Sequence, residues 1–369
     1  MKVKLGDVCE RGSSNLKQSD IVDCVGDYPI YGASGLIGKV DFYHQNKPYV
    51  ALVKDGAGIG RTSLHPAKSS IIGTMQYLLP KENVLPEYLY YVVRYMHLEK
   101  YFSGATIPHI YFRDYKDEEF NLDTLEKQAE IVKTLSKCES VIAARTKELQ
   151  KLDELIKARF VELFGDPIRS DKYNTKKLST CVKDKGDMVD GPFGSQVNTK
   201  VDYIENGEIP VIRTVNVKMM SFSPADLKYM TREKYETVIR SQVLPGDVIL
   251  TKVGTIGNVC VFPDTFEEAV LSTTGSCRIR VDKDVMDTVF FAYNLMYLKD
   301  KLLEIASAGV QPFLNMSHVK NIDILDVPLD KQMEFTDFVK QVDKSKVAVQ
   351  KALDETQTLF DSLMQEYFE

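Results

Sequence analysis

The sequence lacks the features that would place it in a membrane or in an oxidising compartment. No apolar run approaches the roughly twenty residues that a membrane-spanning helix needs, and no apolar signal region follows the first four residues. The six cysteines are scattered, and no two of them have the Cys-x-x-Cys spacing of a redox or zinc motif. We therefore expect reduced thiols, no disulfide framework, no metal site and a cytoplasmic location.

The sequence also lacks the motifs of enzymes that act on nucleotides. It contains no Asn/Asp-Pro-Pro-aromatic tetrapeptide, the loop that holds the target amino group in DNA adenine methyltransferases. The stretch from Gly32 to Lys39 is one residue too long for a phosphate loop, and Gly56 to Gly60 lacks the spacing of a dinucleotide-binding fingerprint. The five histidines show no metal-ligand spacing. We therefore expect a chain without catalytic residues and without a cofactor of its own.

The composition is that of a soluble globular protein. Apolar residues make up 44% and charged residues 27% of the 369 positions, enough for two domains with buried cores. The net charge is −6, and the segment 329–369 supplies most of it, with five lysines and nine acidic residues. A near-neutral remainder can still carry a basic face on one side. Composition therefore neither supports nor excludes DNA as a partner.

An internal repeat is the most informative feature that is present. When Pro108 is set on Pro312, a shift of 204 positions, Leu125–Gln128 falls on Leu329–Gln332. Each copy continues for about forty residues without glycine or proline. The chain thus contains two copies of one plan, a mixed segment followed by a long helix. The predicted limits are 1–122 and 167–328 for the mixed segments, and 123–166 and 329–369 for the helices.

Both predicted helices carry apolar residues at alternating spacings of four and three, the pattern of a coiled-coil seam. A forty-residue helix is roughly 60 Å long, and helices of this length rarely stay straight on a small domain. We therefore predict that the two helices pair in an antiparallel manner, and the alternative is two amphipathic helices on separate cores. The predicted seam positions are Leu135, Ile142, Leu149, Ile156, Leu163, Val339, Val342, Leu353, Phe360 and Leu363.

The two mixed segments share an order of elements. A buried strand is predicted at Pro48–Val53 and at Val248–Thr251, each followed by a glycine loop and later by a helix, over 87–101 and 289–305. We therefore expect an α+β protein. Two α/β domains, related by pseudo-two-fold symmetry, are separated by two long antiparallel helices that form a coiled-coil spacer.

The order of several motifs resembles the specificity (S) subunits of type I restriction-modification systems. The resemblance covers essentially the whole chain and rests on Tyr28–Gly38, Gly191–Ser195, Ile209–Asn216 and Gly309–Asn315, together with the repeat. It implies two target-recognition domains that each read one half of a bipartite double-stranded DNA sequence.

The resemblance also implies partners. Two methyltransferase (modification) subunits would dock on the helices, restriction (endonuclease/translocase) subunits would join them, and S-adenosylmethionine and ATP would bind to these partners only. Exposed charges such as Lys147, Lys151, Glu154, Asp354 and Glu355 would remain for that docking. Two alternatives stay open: a coiled-coil scaffold or adaptor that does not bind DNA, and a self-contained methyltransferase or nuclease.

Candidate DNA contacts are polar side chains in loops, because Arg, Lys, Asn and Gln read base edges while Ser, Lys and main-chain N–H groups hold phosphates. For each residue the alternative is a turn-stabilising or merely solvated side chain. The candidates are Lys54, Arg61, Ser195, Gln196, Arg213, Asn216, Lys252, Gln311 and Asn315.

Overall fold

The computed structural model describes residues 1–22, 24–104, 108–169, 172–306 and 312–369. The chain divides into two compact units, which we call unit 1 (Met1–Leu149 with Ala348–Glu369) and unit 2 (Gln150–Val347). Each long helix contributes one half to each unit. The two units are divided within the long helices and not at their ends. The division therefore does not test the four segment limits, which stay a prediction.

Unit 1 is built on two small sheets. Its strands are β1 (Lys2–Lys4), β2 (Cys9–Ser13), β3 (Tyr28–Gly32), β4 (Gly35–Val40), β5 (Tyr49–Val53), β6 (Thr62–His65), β7 (Ser70–Ile71), β8 (Met75–Pro80) and β9 (Glu119–Asn121). Its short helices are α1 (Leu5–Val8), α2 (Pro86–Tyr95) and α3 (Phe112–Tyr115), and the long helix α4 (Leu125–Phe164) begins here. One sheet has the antiparallel order β2-β8-β5-β6, and the other has the order β4-β3-β7 with β3 and β7 parallel.

Unit 2 contains a larger set of elements. Its strands are β10 (Thr175–Lys177), β11 (Met188–Asp190), β12 (Ile209–Ile212), β13 (Val217–Lys218), β14 (Ser221–Phe222), β15 (Lys228–Met230), β16 (Gln242–Val243), β17 (Val248–Thr251), β18 (Val259–Val261), β19 (Ala269–Leu271), β20 (Ser276–Ile279) and β21 (Asp323–Leu325). Its helices are α5 (Arg232–Thr237), α6 (Thr288–Tyr297), α7 (Lys299–Ile305), α8 (Met316–Lys320) and the first half of α9 (Leu329–Phe368).

The two units share one topology, as the repeat predicts. The order β11-β20-β17-β18 in unit 2 matches β2-β8-β5-β6 in unit 1, and the parallel pair β12/β19 matches β3/β7. The pairs β1/β9 and β10/β21 also correspond. Unit 2 differs by the hairpin β13–β14, which lies between β12 and β15 where unit 1 has a two-residue turn, and by strand β16, which adds a fourth strand beside β19.

The buried strands are confirmed, and the helices that come after them are shorter than predicted. Every residue of β5 and of β17 is buried, which explains their continuous apolar sequences. Helix α2 stops at Tyr95 because His97 has a left-handed backbone, with φ 49°, and a 3₁₀ turn comes next. The second predicted helix is divided at Leu298 into α6 and α7.

The two long helices are confirmed, with 40 residues each. In unit 2 they run antiparallel, because Asp153 pairs with Lys346 at 2.7 Å while Arg159, further along α4, pairs with the earlier residue Glu334 at 2.7 Å. In unit 1, residues from both helices belong to the domain core. These core residues are Ile131, Leu135, Phe360, Met364 and Phe368.

The seam departs from the predicted spacing at the carboxyl end of each helix. Of the predicted positions, Leu135, Ile156, Val339, Val342 and Phe360 are buried, whereas Ile142, Leu149, Leu163, Leu353 and Leu363 are half-buried. After Ile156 and after Phe360 the buried residues recur every four positions, at Phe160 and Phe164 and at Met364 and Phe368.

Two physical effects account for this change. A straight helix drifts by about 20° per heptad relative to a 3.5-residue repeat, and the last turns pack on a domain core as well as on the other helix. In unit 2 the Phe160 ring lies 5.8 Å from Phe290 and 5.3 Å from Phe335, centroid to centroid. Phe164 and Met364 therefore take the deepest places that were predicted for Leu163 and Leu363.

One fully buried glutamine ties the start of each long helix to a short helix of the same unit. The Oε1 atom of Gln128 accepts a hydrogen bond from Leu85 N at 2.9 Å, and its Nε2 donates to two main-chain carbonyl oxygens at 3.0 and 2.9 Å. Gln332, its counterpart in the repeat, accepts from Asp287 N at 2.7 Å and also donates to two carbonyl oxygens. Leu85 and Asp287 immediately precede α2 and α6. The same brace therefore occurs in both units.

Candidate nucleic-acid interface

In each unit corresponding chain segments meet at one end of the sheet that contains β5 or β17, and we call this region the loop edge. It consists of residues 32–34, 54–61, 72–74 and 108–113 in unit 1, and of the corresponding residues 213–216, 252–258, 272–275 and 312–315 in unit 2, where residues 190–196 join them. In unit 1, Lys54 N donates to Thr74 O at 3.0 Å and Ile110 N donates to Lys54 O at 3.0 Å.

The main-chain hydrogen bonds that form the loop edge recur in unit 2. There Lys252 N donates to Gly275 O at 2.7 Å, and Leu314 N donates to Lys252 O at 2.9 Å. Both glycine loops contain left-handed residues, with φ 81° at Gly60 and φ 82° at Gly257, a conformation that glycine adopts without steric cost. The two loop edges therefore share a main-chain frame, while their side chains differ.

Both predicted contacts of unit 1 lie on its loop edge. Lys54 is half-buried, and its Nζ lies 3.7 Å from Asp55 Oδ2. Arg61 is exposed, and its Nη1 donates to Ala33 O at 3.0 Å. This bond holds the glycine loop against the turn between β3 and β4.

Four of the predicted contacts of unit 2 lie on its loop edge with accessible side chains. Ser195 and Gln196 are exposed, and the Gln196 Oε1 accepts a hydrogen bond from Phe193 N at 3.0 Å. Arg213 is partly exposed, and its Nη2 donates to Asp226 Oδ2 at 2.8 Å. Asn315 is half-buried and caps α8, where its Oδ1 accepts from His318 N at 2.8 Å.

Two predicted contacts need correction because their side chains are buried. The Lys252 ammonium group forms an ion pair with the Asp190 carboxylate, and only 4% of the lysine side chain is exposed. The fully buried Asn216 accepts from Arg213 N at 3.0 Å and donates to two carbonyl oxygens of the next loop. Both residues hold the loops in place, so we remove them from the candidate DNA surface. Gln311 lies outside the described residues.

A stack of three planar side chains in unit 1 was not predicted from the sequence. The His109 Nδ1 lies 2.6 Å from Asp55 Oδ1, and the His109 ring stacks on Tyr111 with centroids 6.4 Å apart. The Arg113 guanidinium carbon lies 4.8 Å from the centre of the Tyr111 ring. Phe313 is the counterpart of His109, and its ring is 44% exposed. The alternation of planar residues at 109, 111 and 113 is the sequence signal that could have indicated this stack.

In unit 2 a polar groove of about 530 Å³ adjoins the loop edge. Arg213 and Lys228 supply its cations, Glu205 lines it and pairs with Lys228 at 2.6 Å, and the remaining polar lining is the hydroxyl groups of Thr199, Tyr203, Thr214, Ser272 and Thr273. Hydrogen bonding to Arg213 lowers the pKa of Asp226, and hydrogen bonding to Glu205 raises the pKa of Lys228. Cations beside hydroxyl groups are the combination that holds phosphate and base edges.

The part of the chain that the structure describes contains neither a cluster of metal ligands nor a membrane-spanning helix. No group of three or more His, Cys, Asp or Glu side chains in that part of the chain is placed to hold a metal ion. Among the same residues, no helix combines the length and the apolar character that crossing a membrane requires.

The sequence profile of the type I restriction modification DNA specificity domain matches residues 1–154 and 183–356. The chain belongs to this family. Its fold and its recognition role are therefore those of a DNA specificity subunit, and the scaffold alternative is not favoured. Specificity subunits of type I systems assemble with methyltransferase and restriction subunits and bind DNA.

Relatives and solved structures agree with this assignment. The chain is 24% identical to the type I restriction enzyme MjaVIII specificity subunit of Methanocaldococcus jannaschii over 337 residues, 83% of this chain and 76% of the relative. It is 22% identical to the MjaIX specificity subunit of the same organism over 307 residues, 78% and 69% of the two chains.

Two solved structures share the fold. The S subunit of a type I restriction-modification system from M. genitalium has a TM-score of 0.62 at 15% identity, over 100% of this chain and 96% of that one. A chain from a study of complex assembly and conformational transition of the type I R-M system has a TM-score of 0.56 at 15% identity, over 100% and 97%.

Proposed function

We propose that each unit reads one half of a bipartite double-stranded DNA target through its loop edge. The observation that carries this proposal is the duplicated main-chain frame with different side chains on it. A constant frame places loops in the same way twice, while different side chains present different donors and acceptors to base edges. Two surfaces of this kind match a target with two unlike halves.

The two loop edges carry different residues, and each set suits a different DNA sequence. Unit 1 offers Arg61 together with the stack that ends at Tyr111 and Arg113, and unit 2 offers Gln196 and Arg213. Arginine and glutamine read guanine and adenine in the major groove. The loop edges therefore differ in the bases they favour.

The chemistry of the system belongs to other subunits in this proposal. The chain acts without catalytic residues or a cofactor of its own, and S-adenosylmethionine and ATP are held by its partners. Two methyltransferase subunits dock on each chain, because the repeat presents each helical surface twice, and restriction subunits join that core. The complex acts in the cytoplasm, where the chromosomal DNA is accessible to it.

A domain exchange tests the proposal. Residues 171–326 are replaced by the matching domain of a relative, and the methylated motif is determined by methylome sequencing of cells that also express the partner subunits. We expect one half of the motif to change and the half read by residues 1–122 to persist. A motif that changes in both halves, or in neither, contradicts one half-site per unit. The unexchanged chain with the same partners is the control.

A further inference from the structure

The ends of β3 and β12 are equivalent positions in the two units. Tyr31 pairs with Ile71 in the parallel ladder of unit 1, and Ile212 pairs with Leu271 in that of unit 2. In both ladders the residue after the paired one donates a hydrogen bond back to the strand. Ile72 N donates to Tyr31 O at 3.0 Å, and Ser272 N donates to Ile212 O at 2.9 Å.

Each of these strand ends carries one arginine, but the two arginines come from different segments. In unit 2 it is Arg213, the residue directly after Ile212. In unit 1 it is Arg61 from the glycine loop, whose guanidinium reaches across to Ala33 O at 3.0 Å, two residues beyond Tyr31. The shared main-chain frame does not equate the two arginines, because Asn258 takes the place of Arg61 in unit 2: Val53 N donates to Arg61 O and Thr251 N donates to Asn258 O, each at 2.9 Å.

Both guanidinium groups are anchored at one edge. Among the described residues, Arg61 makes its hydrogen bond to Ala33 O alone, while Arg213 Nη2 donates to the carboxylate and the carbonyl oxygen of Asp226. A guanidinium has five N–H donors in one plane. Within the described ranges, Nε and Nη2 of Arg61 have no protein partner, whereas Nε of Arg213 is buried and only the two N–H groups of its Nη1 remain. In both side chains the anchored edge fixes the orientation of at least two N–H donors, as recognition of a flat acceptor pair requires.

We propose that Arg61 and Arg213 are functional counterparts, one base-reading guanidinium for each half-site, and that each selects a guanine. Guanine presents the O6 and N7 acceptors side by side in the major groove, and arginine bonds both at once. This inference rests on the proposed function and names the residue that makes one base contact in each half.

The test uses the complete chain assembled with its methyltransferase partners. Binding to duplex DNA with a randomised base at each position of the wild-type motif is measured for Arg61→Ala and Arg213→Ala. We expect discrimination to fall on the order of tenfold or more at one guanine of one half-site, with Arg61 acting in one half and Arg213 in the other. The matched controls are Arg11→Ala on β2 and Arg232→Ala on α5, which remove an exposed arginine away from the loop edges.

Lysine variants separate base reading from charge and from folding. Arg61→Lys and Arg213→Lys keep the charge and the aliphatic stem, so they retain the melting temperature, but they lack the planar fork and are expected to lose the guanine preference. Full discrimination in either lysine variant, or an alanine variant that weakens all sequences alike, overturns the inference. The proposed function is judged separately, because it requires only that the wild-type motif has two halves assigned to the two units.

Discussion

At the scale of single residues, the glutamine brace is the feature with the clearest energetic consequence. Gln128→Leu and Gln332→Leu each leave one N–H and two carbonyl groups without their partner in a buried place. An unsatisfied buried group costs about 1–3 kcal/mol, so we expect a clear fall in melting temperature for both variants. Thermal denaturation monitored by circular dichroism measures it, and Gln150→Leu, at an exposed position of α4, is the control. Unchanged melting of the two brace variants would show that water replaces the amide.

The sequence indicates which residue types could contact DNA, but it does not show which of these side chains are exposed. Lys54 and Lys252 each begin a glycine loop and are both predicted DNA contacts, yet the Lys252 ammonium group pairs with Asp190, which lies more than sixty positions earlier in the chain. Asn216 was likewise predicted as a contact because amides read adenine, whereas its three hydrogen bonds are internal to the loop. Long-range ion pairs and loop hydrogen bonds depend on tertiary folding, which a local pattern does not contain.

At the scale of elements, we propose that the long helices, which the sequence predicts to be a spacer, set the number of base pairs between the two half-sites. Four residues inserted into α4, near the middle of the helix, lengthen it by about 6 Å and rotate its second half relative to its first. We expect the halves of the methylated motif to keep their sequences while the gap between them changes. Methylome sequencing measures the gap. An unchanged gap in an active complex argues against the helices as the feature that sets the gap, and an exposed substitution in the same turn is the control.

Element types and order were predictable where one periodicity was sustained. Two forty-residue helices and the buried strands β5 and β17 result directly from uninterrupted patterns of apolar residues. The hairpin β13–β14 and the stop of α2 before His97 were not predictable in this way, because short strands and a left-handed residue leave little trace in hydrophobicity. The shift from Leu363 to Met364 in the seam reflects packing on a domain core, which the helix sequence alone does not encode.

At the scale of the whole molecule, the repeat predicts how many partner subunits bind. Leu155 and Leu359, which correspond under the 204-residue shift, are 48% and 52% exposed on otherwise charged helix surfaces. A duplicated exposed leucine is expected where two copies of one partner dock. We expect Leu155→Glu and Leu359→Glu each to remove one methyltransferase subunit, and the double variant to remove both, as counted by native mass spectrometry.

The control for this count is Val347→Glu. Val347 is 69% exposed, but its counterpart under the repeat is Ala143, so no duplicated contact is expected there. Loss of a methyltransferase subunit from the Val347 variant, or full occupancy of the double leucine variant, would contradict docking at the duplicated leucines.

The shared main-chain frame of the loop edges bears on how such a chain changes over generations. Its hydrogen bonds join N–H and C=O groups, so most substitutions in the loops leave them intact. The same strand end has its arginine from the residue after β12 in one unit and from the glycine loop in the other. A lineage therefore has more than one mutational route to the same contact, and it can lose or regain a preferred base in one half without unfolding the protein. The main-chain frame can therefore stay the same while the side chains of the loops change.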